Sequence, residues 1–136
     1  MIDEKRCFEK GLLKKIKSQP DLAKKDIKQA LFFLKESEEL IELNKKQIAA
    51  ISLYNAYFHT SRSLLFKDGI KERSHYCIAK YIENNYELED FVNIFETIMS
   101  IRHNVQYATE LTEIEEDLDE FASLCHEFIK KIEGLL

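Results

Sequence analysis

Between Asp3 and Lys17 the apolar positions Cys7, Phe8, Gly11, Leu12 and Ile16 recur at three- and four-residue steps, and Ser18-Gln19-Pro20 then interrupts them. This spacing predicts a short amphipathic first helix. Asp21, just after Pro20, is positioned to cap a long second helix. Its apolar face runs through Leu22, Ala23, Ile27, Ala30, Leu31, Leu34, Leu40 and Ile41 to about Leu43, with the lysines of KKDIK and the acids of ESEELIE outside. From Lys46 to Lys67 the run QIAAISLYNAYFHTSRSLLF is apolar around most of its circumference and is followed by Gly69, so the third helix is expected to be the most buried. Ser74 is a candidate cap for a shorter fourth helix ending near Asn84-Asn85. The fifth helix is predicted from Leu88 to Thr109, with Phe91, Ile94, Phe95, Ile98, Ile101 and Val105 on one stripe. The sixth is predicted from Glu113 to Leu135.

No segment alternates apolar and polar residues long enough to predict a strand, and no internal repeat is present. The 136 residues hold only three Gly and one Pro, whereas a small sandwich or barrel needs turn signals every roughly 8–12 residues. The expectation is one all-α domain over residues 1–136. It is an antiparallel up-and-down helical bundle with four long helices and two shorter ones.

Charge narrows the function classes. The net charge is −5, which argues against a broad footprint for duplex DNA. The balance is uneven, +3 over residues 1–50 and −8 over the remainder, so an anion-binding surface is expected to be local and near the N-terminal half. Cys7, Cys77 and Cys125 are odd in number and form no CxxC pair. This usage suits a reducing cytoplasm, with each thiol a small core residue. No apolar run approaches the roughly 18–20 residues of a membrane span, so a soluble, cytoplasmic, unprocessed chain is expected.

Arg102 is the most informative residue. On a regular helix it lies within about 40° of Phe91, Phe95 and Ile98, at the centre of the fifth helix's apolar stripe. An unpaired cation in an apolar setting costs several kcal/mol, so Arg102 either lines a polar cleft or packs its stem and sends its head to water. On the third helix Ser52, Asn55, His59 and Arg62 draw a polar line at steps of three, four and three. That line faces Arg102 or it faces the exterior. The histidines His59, His75, His103 and His126 form no HxxxH pair, so no metal and no cofactor is expected.

The segment AYFHTSRSLLFKDGIKERSHYCIAKYI, followed some twenty residues later by RHNVQY, resembles the small single-domain branch of the HEPN-domain proteins. Tyr54, Phe58, His59, Arg62, Leu64 and Leu65 match its first block, His75 its second, and Arg102 and Tyr107 its third. The resemblance implies a helical bundle that dimerises and pairs with a small nucleotidyltransferase encoded beside it, as in toxin–antitoxin modules. It also implies, for many members, a metal-independent ribonuclease using an Arg and a His with four to six residues between them. Here the sequence departs from the pattern. Counting from Arg102, the permitted positions are Tyr107, Ala108 and Thr109, and His103 points about 100° away from Arg102 around the helix.

That departure matters because cleavage by an RNA's own 2′-hydroxyl needs an acid or base with a pKa near the working pH. Histidine supplies one, and tyrosine, at about 10, does not. The expected function is therefore a non-catalytic, homodimeric interaction module that partners a small nucleotidyltransferase, with a polar cleft around Arg102 for a nucleotide or RNA phosphate. Its expected contacts are Arg102, Asn55, His59, Arg62, Tyr54, Gln106 and Tyr107. The rival is a ribonuclease with Arg102, His59 and Tyr107 as the catalytic candidates, or with His59 or His75 supplying the missing histidine from another helix.

Overall fold

The computed structural model describes residues 3–136 as α1 (Glu4–Glu9), β1 (Leu13–Lys15), α2 (Pro20–Glu42), α3 (Lys46–Asp68), β2 (Ile70–Glu72), α4 (His75–Asn85), α5 (Glu89–Tyr107) and α6 (Leu118–Glu133). The four long helices are those expected. α2 and α3 form the most extensive interface, and α5 and α6 pack against α3. The all-α bundle is thus the architecture, with one small two-stranded addition.

α3 is the central element. Ala49, Ala50, Leu53, Tyr54, Ala56, Tyr57, Leu64 and Leu65 are all buried, as the nearly continuous apolar circumference requires. Three of its buried hydroxyls are satisfied within the helix: Thr60 donates to the Ala56 carbonyl, Ser61 to Tyr57 and Ser63 to Thr60. Around it, Tyr57, Phe91, Phe95 and Phe128 form a contiguous aromatic cluster. The Tyr57 hydroxyl reaches the Phe121 carbonyl at 2.7 Å.

Several expectations at element ends are corrected. The first helix stops at Glu9 rather than Lys17, because Gly11 takes a left-handed turn (φ 71°) and Leu13–Lys15 then pairs with Ile70–Glu72. The pairing is antiparallel, Leu13 opposite Glu72, Lys14 opposite Lys71 and Lys15 opposite Ile70. Three residues are too few for an alternation to register in the sequence. α3 ends on Gly69 (φ 75°), where an added Cβ would lie 2.5 Å from the Ile16 carbonyl oxygen, so only glycine allows the Ile16 strand to cross there. Gln19, not Asp21, occupies the N-cap position of α2, without a side-chain capping bond among the described residues, and Pro20 takes the first helical position. α6 starts at Leu118, not Glu113, because Asp117 accepts from the Glu120 amide and closes its first turn. Ser74 caps α4 as expected.

The large exposed apolar side chains of the long helices are mainly Leu22, Leu31 and Phe32 on α2 and Ile48 on α3. One larger expectation also changes. Cys125 is a buried free thiol, as expected, but Cys7 and Cys77 are joined in a disulfide that ties α1 to α4. Cysteine usage therefore gives no argument for a reducing compartment. No described helix is long and apolar enough to cross a membrane.

The disulfide closes a loop of 70 residues, a constraint worth about 4 kcal/mol in the chain-entropy picture. Reduction with dithiothreitol should lower the urea midpoint markedly, and Cys7→Ser should show the same lowered midpoint with or without reductant. An unchanged midpoint on reduction would show that the two sulfurs contribute packing only.

Candidate functional site

The polar line on α3 neither faces Arg102 nor runs along the exterior; it faces α2. Ser52 donates to the Phe33 carbonyl at 2.9 Å. His59 and Arg62 both bind Asp26: His59 Nδ1 lies 2.8 Å from one carboxylate oxygen, and Arg62 Nε and Nη2 each lie 2.8 Å from an oxygen of the same group. Asp26 is only 3% exposed. Burial pushes its carboxyl up, but the hydrogen bonds from Arg62 and His59 outweigh this and hold it below the ordinary carboxylate range. Those same bonds hold Arg62 above its usual value. The His59 ring is also stacked on Phe33, centroids 5.4 Å apart. His59 and Arg62 are thus taken up in a clasp between α2 and α3.

Asp26 itself escaped the sequence reading, although a signal exists. It lies between Ala23, Ile27 and Ala30 on the buried face of α2, a carboxylate on an apolar stripe just as Arg102 is a guanidinium on one.

A second constellation forms where α3, α4 and α5 meet. The Arg102 guanidinium stands over the Tyr54 ring, 4.4 Å from its centroid. Arg102 Nη1 donates to Gln106 Oε1 at 3.0 Å, whereas its Nε is buried and has no hydrogen-bond partner among the described residues. The Tyr54 hydroxyl is hydrogen-bonded to His75 Nδ1. Phe58 packs on the His75 ring at 4.5 Å and carries the Arg62 guanidinium on its ring at 5.1 Å. His75 therefore lies within the field of both arginines.

The protonation states follow from these surroundings. Burial pushes the Tyr54 phenol up to about 12, although Arg102 opposes the shift, so near neutral pH Tyr54 keeps its proton and donates it to His75 Nδ1. Burial, then the charges of Arg102 and Arg62, push His75 below the ordinary histidine range. The neutral ring consequently carries its proton on Nε2. The site combines a guanidinium with an unused donor, a neutral imidazole with one N–H donor and a phenol.

Of the residues expected at the cleft, Tyr54, Arg102 and Gln106 come together. His59 and Arg62 belong to the Asp26 clasp, with Arg62 reaching the site only across Phe58. Tyr107 is 67% exposed and packs on His103 instead. Asn55 is half-buried on α3 and makes no side-chain hydrogen bond among the described residues. His75 was visible only as a motif match, since no helical spacing links the first residue of α4 to α3 or α5. Among the described residues no His, Cys, Asp and Glu side chains cluster as a metal site would require.

Asp26→Asn should cost about 3 kcal/mol of stability at pH 7, because it leaves Arg62 without its carboxylate in a half-buried position. The pH dependence has a definite sign. A carboxyl held low in the folded state contributes stability above its unfolded value of 3.8 that is lost as pH falls through the folded value. Urea midpoints from pH 7 to pH 3 should therefore fall more steeply for the wild type than for Asp26→Asn.

No curated protein and no solved structure matches the chain. A family model does: the HEPN domain, over residues 23–135, from the first turn of α2 to just past α6. A match of that extent, ending beyond α6 and including Tyr54, His75 and Arg102, shows that this chain belongs to the HEPN domain family.

Proposed function

We propose that this HEPN domain is a non-catalytic binding module that holds a phosphate of a nucleotide or RNA at Arg102, Tyr54 and His75, and that acts as a homodimeric partner of a small nucleotidyltransferase. The observation that carries the reading is the buried, unpartnered Nε of Arg102. Such a donor costs about 1–3 kcal/mol when it meets no acceptor, and an oxyanion removes that cost with a charge-assisted bond. Among the described residues no carboxylate pairs with Arg102, whose side-chain hydrogen bond goes to the neutral amide of Gln106. The nucleotidyltransferase partner is carried by the family alone, and the exposed apolar side chains Leu31 and Phe32 of α2 support self-association.

One observation favours the rival, a metal-independent ribonuclease. The histidine missing from the spacing after Arg102 is supplied in space by His75, which Tyr54 links to Arg102. Against it, the imidazole is held neutral with its lone pair taken by Tyr54, so it offers a donor and not a free base.

The test is direct. Arg102→Ala should weaken binding of a mononucleotide or short RNA by about 10–100-fold, the value of one or two charge-assisted bonds, while leaving the urea midpoint near that of the wild type. A large fall in midpoint with unchanged affinity would make Arg102 structural. In a time course on single-stranded RNA with EDTA present, the wild type should cleave slowly or not at all. Robust cleavage abolished by His75→Ala and Arg102→Ala would establish the ribonuclease. Binding should also depend on pH. An anion beside His75 offsets the two arginines and raises its pKa, so affinity should increase as pH is lowered through the histidine range, and His75→Ala should lack that increase. Sedimentation at micromolar concentration checks the dimer, and a strictly monomeric species removes it.

A further inference from the structure

The strand pair carries a charge pattern that neither the bundle nor the Arg102 site uses. Lys14 of β1 stands directly opposite Lys71 of β2. Like charges at directly opposed positions of an antiparallel pair repel. Two residues further along the same chain, Arg73 falls on the same side as Lys71 by the period of two. Lys14, Lys15, Lys71 and Arg73 are all exposed and none forms an ion pair among the described residues. The acidic residue of the strands, Glu72, is turned to the other face, 3.9 Å from Arg62, and leaves the lysine face unneutralised. These four cations, with the ring of Phe8, line one cleft of about 600 Å³.

The frame beneath them is fixed. The Arg73 amide donates to the Leu12 carbonyl and the Ile16 amide to the Gly69 carbonyl, each at 2.8 Å. The Cys7–Cys77 bond ties the preceding helix to α4. The backbone under these cations is therefore already ordered, so only their side chains lose freedom when an anion binds. In a chain of net charge −5, this concentration of unpaired cations is a local positive field.

We propose that the Lys14–Lys71–Arg73 face is a second anion site that binds the phosphate backbone of single-stranded nucleic acid, with Phe8 as a stacking surface for a base. Consecutive cations beside an aromatic ring suit a flexible strand whose bases are free to stack. A duplex would need a wider basic footprint. The inference rests on the proposed function only for the choice of nucleic acid over other polyanions. The geometry of the hairpin is independent of Arg102. β1 precedes residue 23, so half of this face lies outside the segment that matches the HEPN family model. Arg73 stands two residues before His75, which brings the basic face to the start of α4, where the Arg102 site lies.

The experiment uses the full chain, a fluorescein-labelled oligouridylate of about 12 nucleotides, uridine 5′-monophosphate as the probe of the Arg102 site, and a range of salt concentrations. The triple variant Lys14→Gln, Lys71→Gln, Arg73→Gln should lose about 10-fold or more in oligonucleotide affinity at low salt, with the log–log salt slope reduced by about 2, since each phosphate contact on a single strand contributes about 0.7. Its mononucleotide affinity and urea midpoint should match the wild type. An unchanged slope and affinity in the triple variant overturns the hairpin site, and if Arg102→Ala then abolishes oligonucleotide binding, the Arg102 reading survives alone. Oligonucleotide binding that is lost in the triple variant but retained in Arg102→Ala, with no mononucleotide bound by the wild type, supports the hairpin and overturns the Arg102 reading. Displacement of the oligonucleotide by poly-glutamate at equal charge concentration overturns the assignment to nucleic acid, as does the absence of oligonucleotide binding by the wild type.

Discussion

A carboxylate withdrawn from water between two long helices sets the geometry of this bundle. Asp26 is buried in the α2–α3 interface and takes three hydrogen-bonding contacts from α3, two from Arg62 and one from His59. Pairing of that quality is what makes burial of the charge tolerable, since a lone carboxylate there would cost several kcal/mol. An apolar interface between two helices tolerates some sliding and rotation, whereas a bidentate guanidinium–carboxylate pair does not. Once Arg62 and His59 are directed at α2, helical geometry turns Tyr54 and Phe58 toward α4 and α5. Tyr54 then meets Arg102 and His75, and Phe58 meets His75. The site at the α3–α4–α5 junction thus lies on the flank of α3 next to the anchor, since Tyr54, Phe58 and Arg62 follow one another at four-residue steps.

The helices were legible because each has a long apolar period, and Gly69 and Ser74 mark their ends with chemistry specific to those positions. Legibility failed where an element depends on a distant partner. The Leu13–Lys15 strand exists because Ile70–Glu72, more than fifty residues away, offers it a ladder, and three residues carry no period of their own. The Cys7–Cys77 bond fails the same test, since the separation of 70 residues says nothing about proximity. Arg102 was legible as a charge on an apolar stripe, and by the same argument Asp26 could have been found on α2. The rule reports that a buried charge needs an answer, but not which element supplies it. The polar line Ser52-Asn55-His59-Arg62 shows this: its existence was readable, but its direction was fixed only by Asp26.

The clasp also decides which arginine has charge to offer. Arg62 and Arg102 both stand on aromatic rings, Arg62 on Phe58 and Phe66, Arg102 on Tyr54. Arg62 commits Nε and Nη2 to Asp26, and Glu72 lies 3.9 Å from its Nη1. An external anion could engage that guanidinium only by competing with a buried carboxylate, and any success would strand Asp26 in the interface. Arg102 meets neutral partners, a phenol ring and an amide, and keeps its full charge together with an unmatched donor. The two guanidinium groups thus differ in their surroundings: Arg62 neutralises an internal carboxylate, and Arg102 rests on a neutral ring and an amide.

The same reasoning bears on catalysis. Histidine is useful for proton transfer when its lone pair faces the reacting group and its pKa lies near the working pH. At His75 both conditions are opposed. The lone pair of Nδ1 is engaged by Tyr54, whose own proton is held tightly by burial, and two arginines discourage the imidazolium. What this arrangement favours, under the proposed function, is recognition: a neutral imidazole N–H and a guanidinium, linked through Tyr54, are both hydrogen-bond donors. A bound phosphate would weaken the repulsion that keeps His75 neutral, so proton uptake would accompany binding. Under the proposed function, Arg102, Tyr54 and His75 act as a phosphate receptor, and acid–base chemistry becomes available only after an anion has restored the histidine's capacity to hold a second proton.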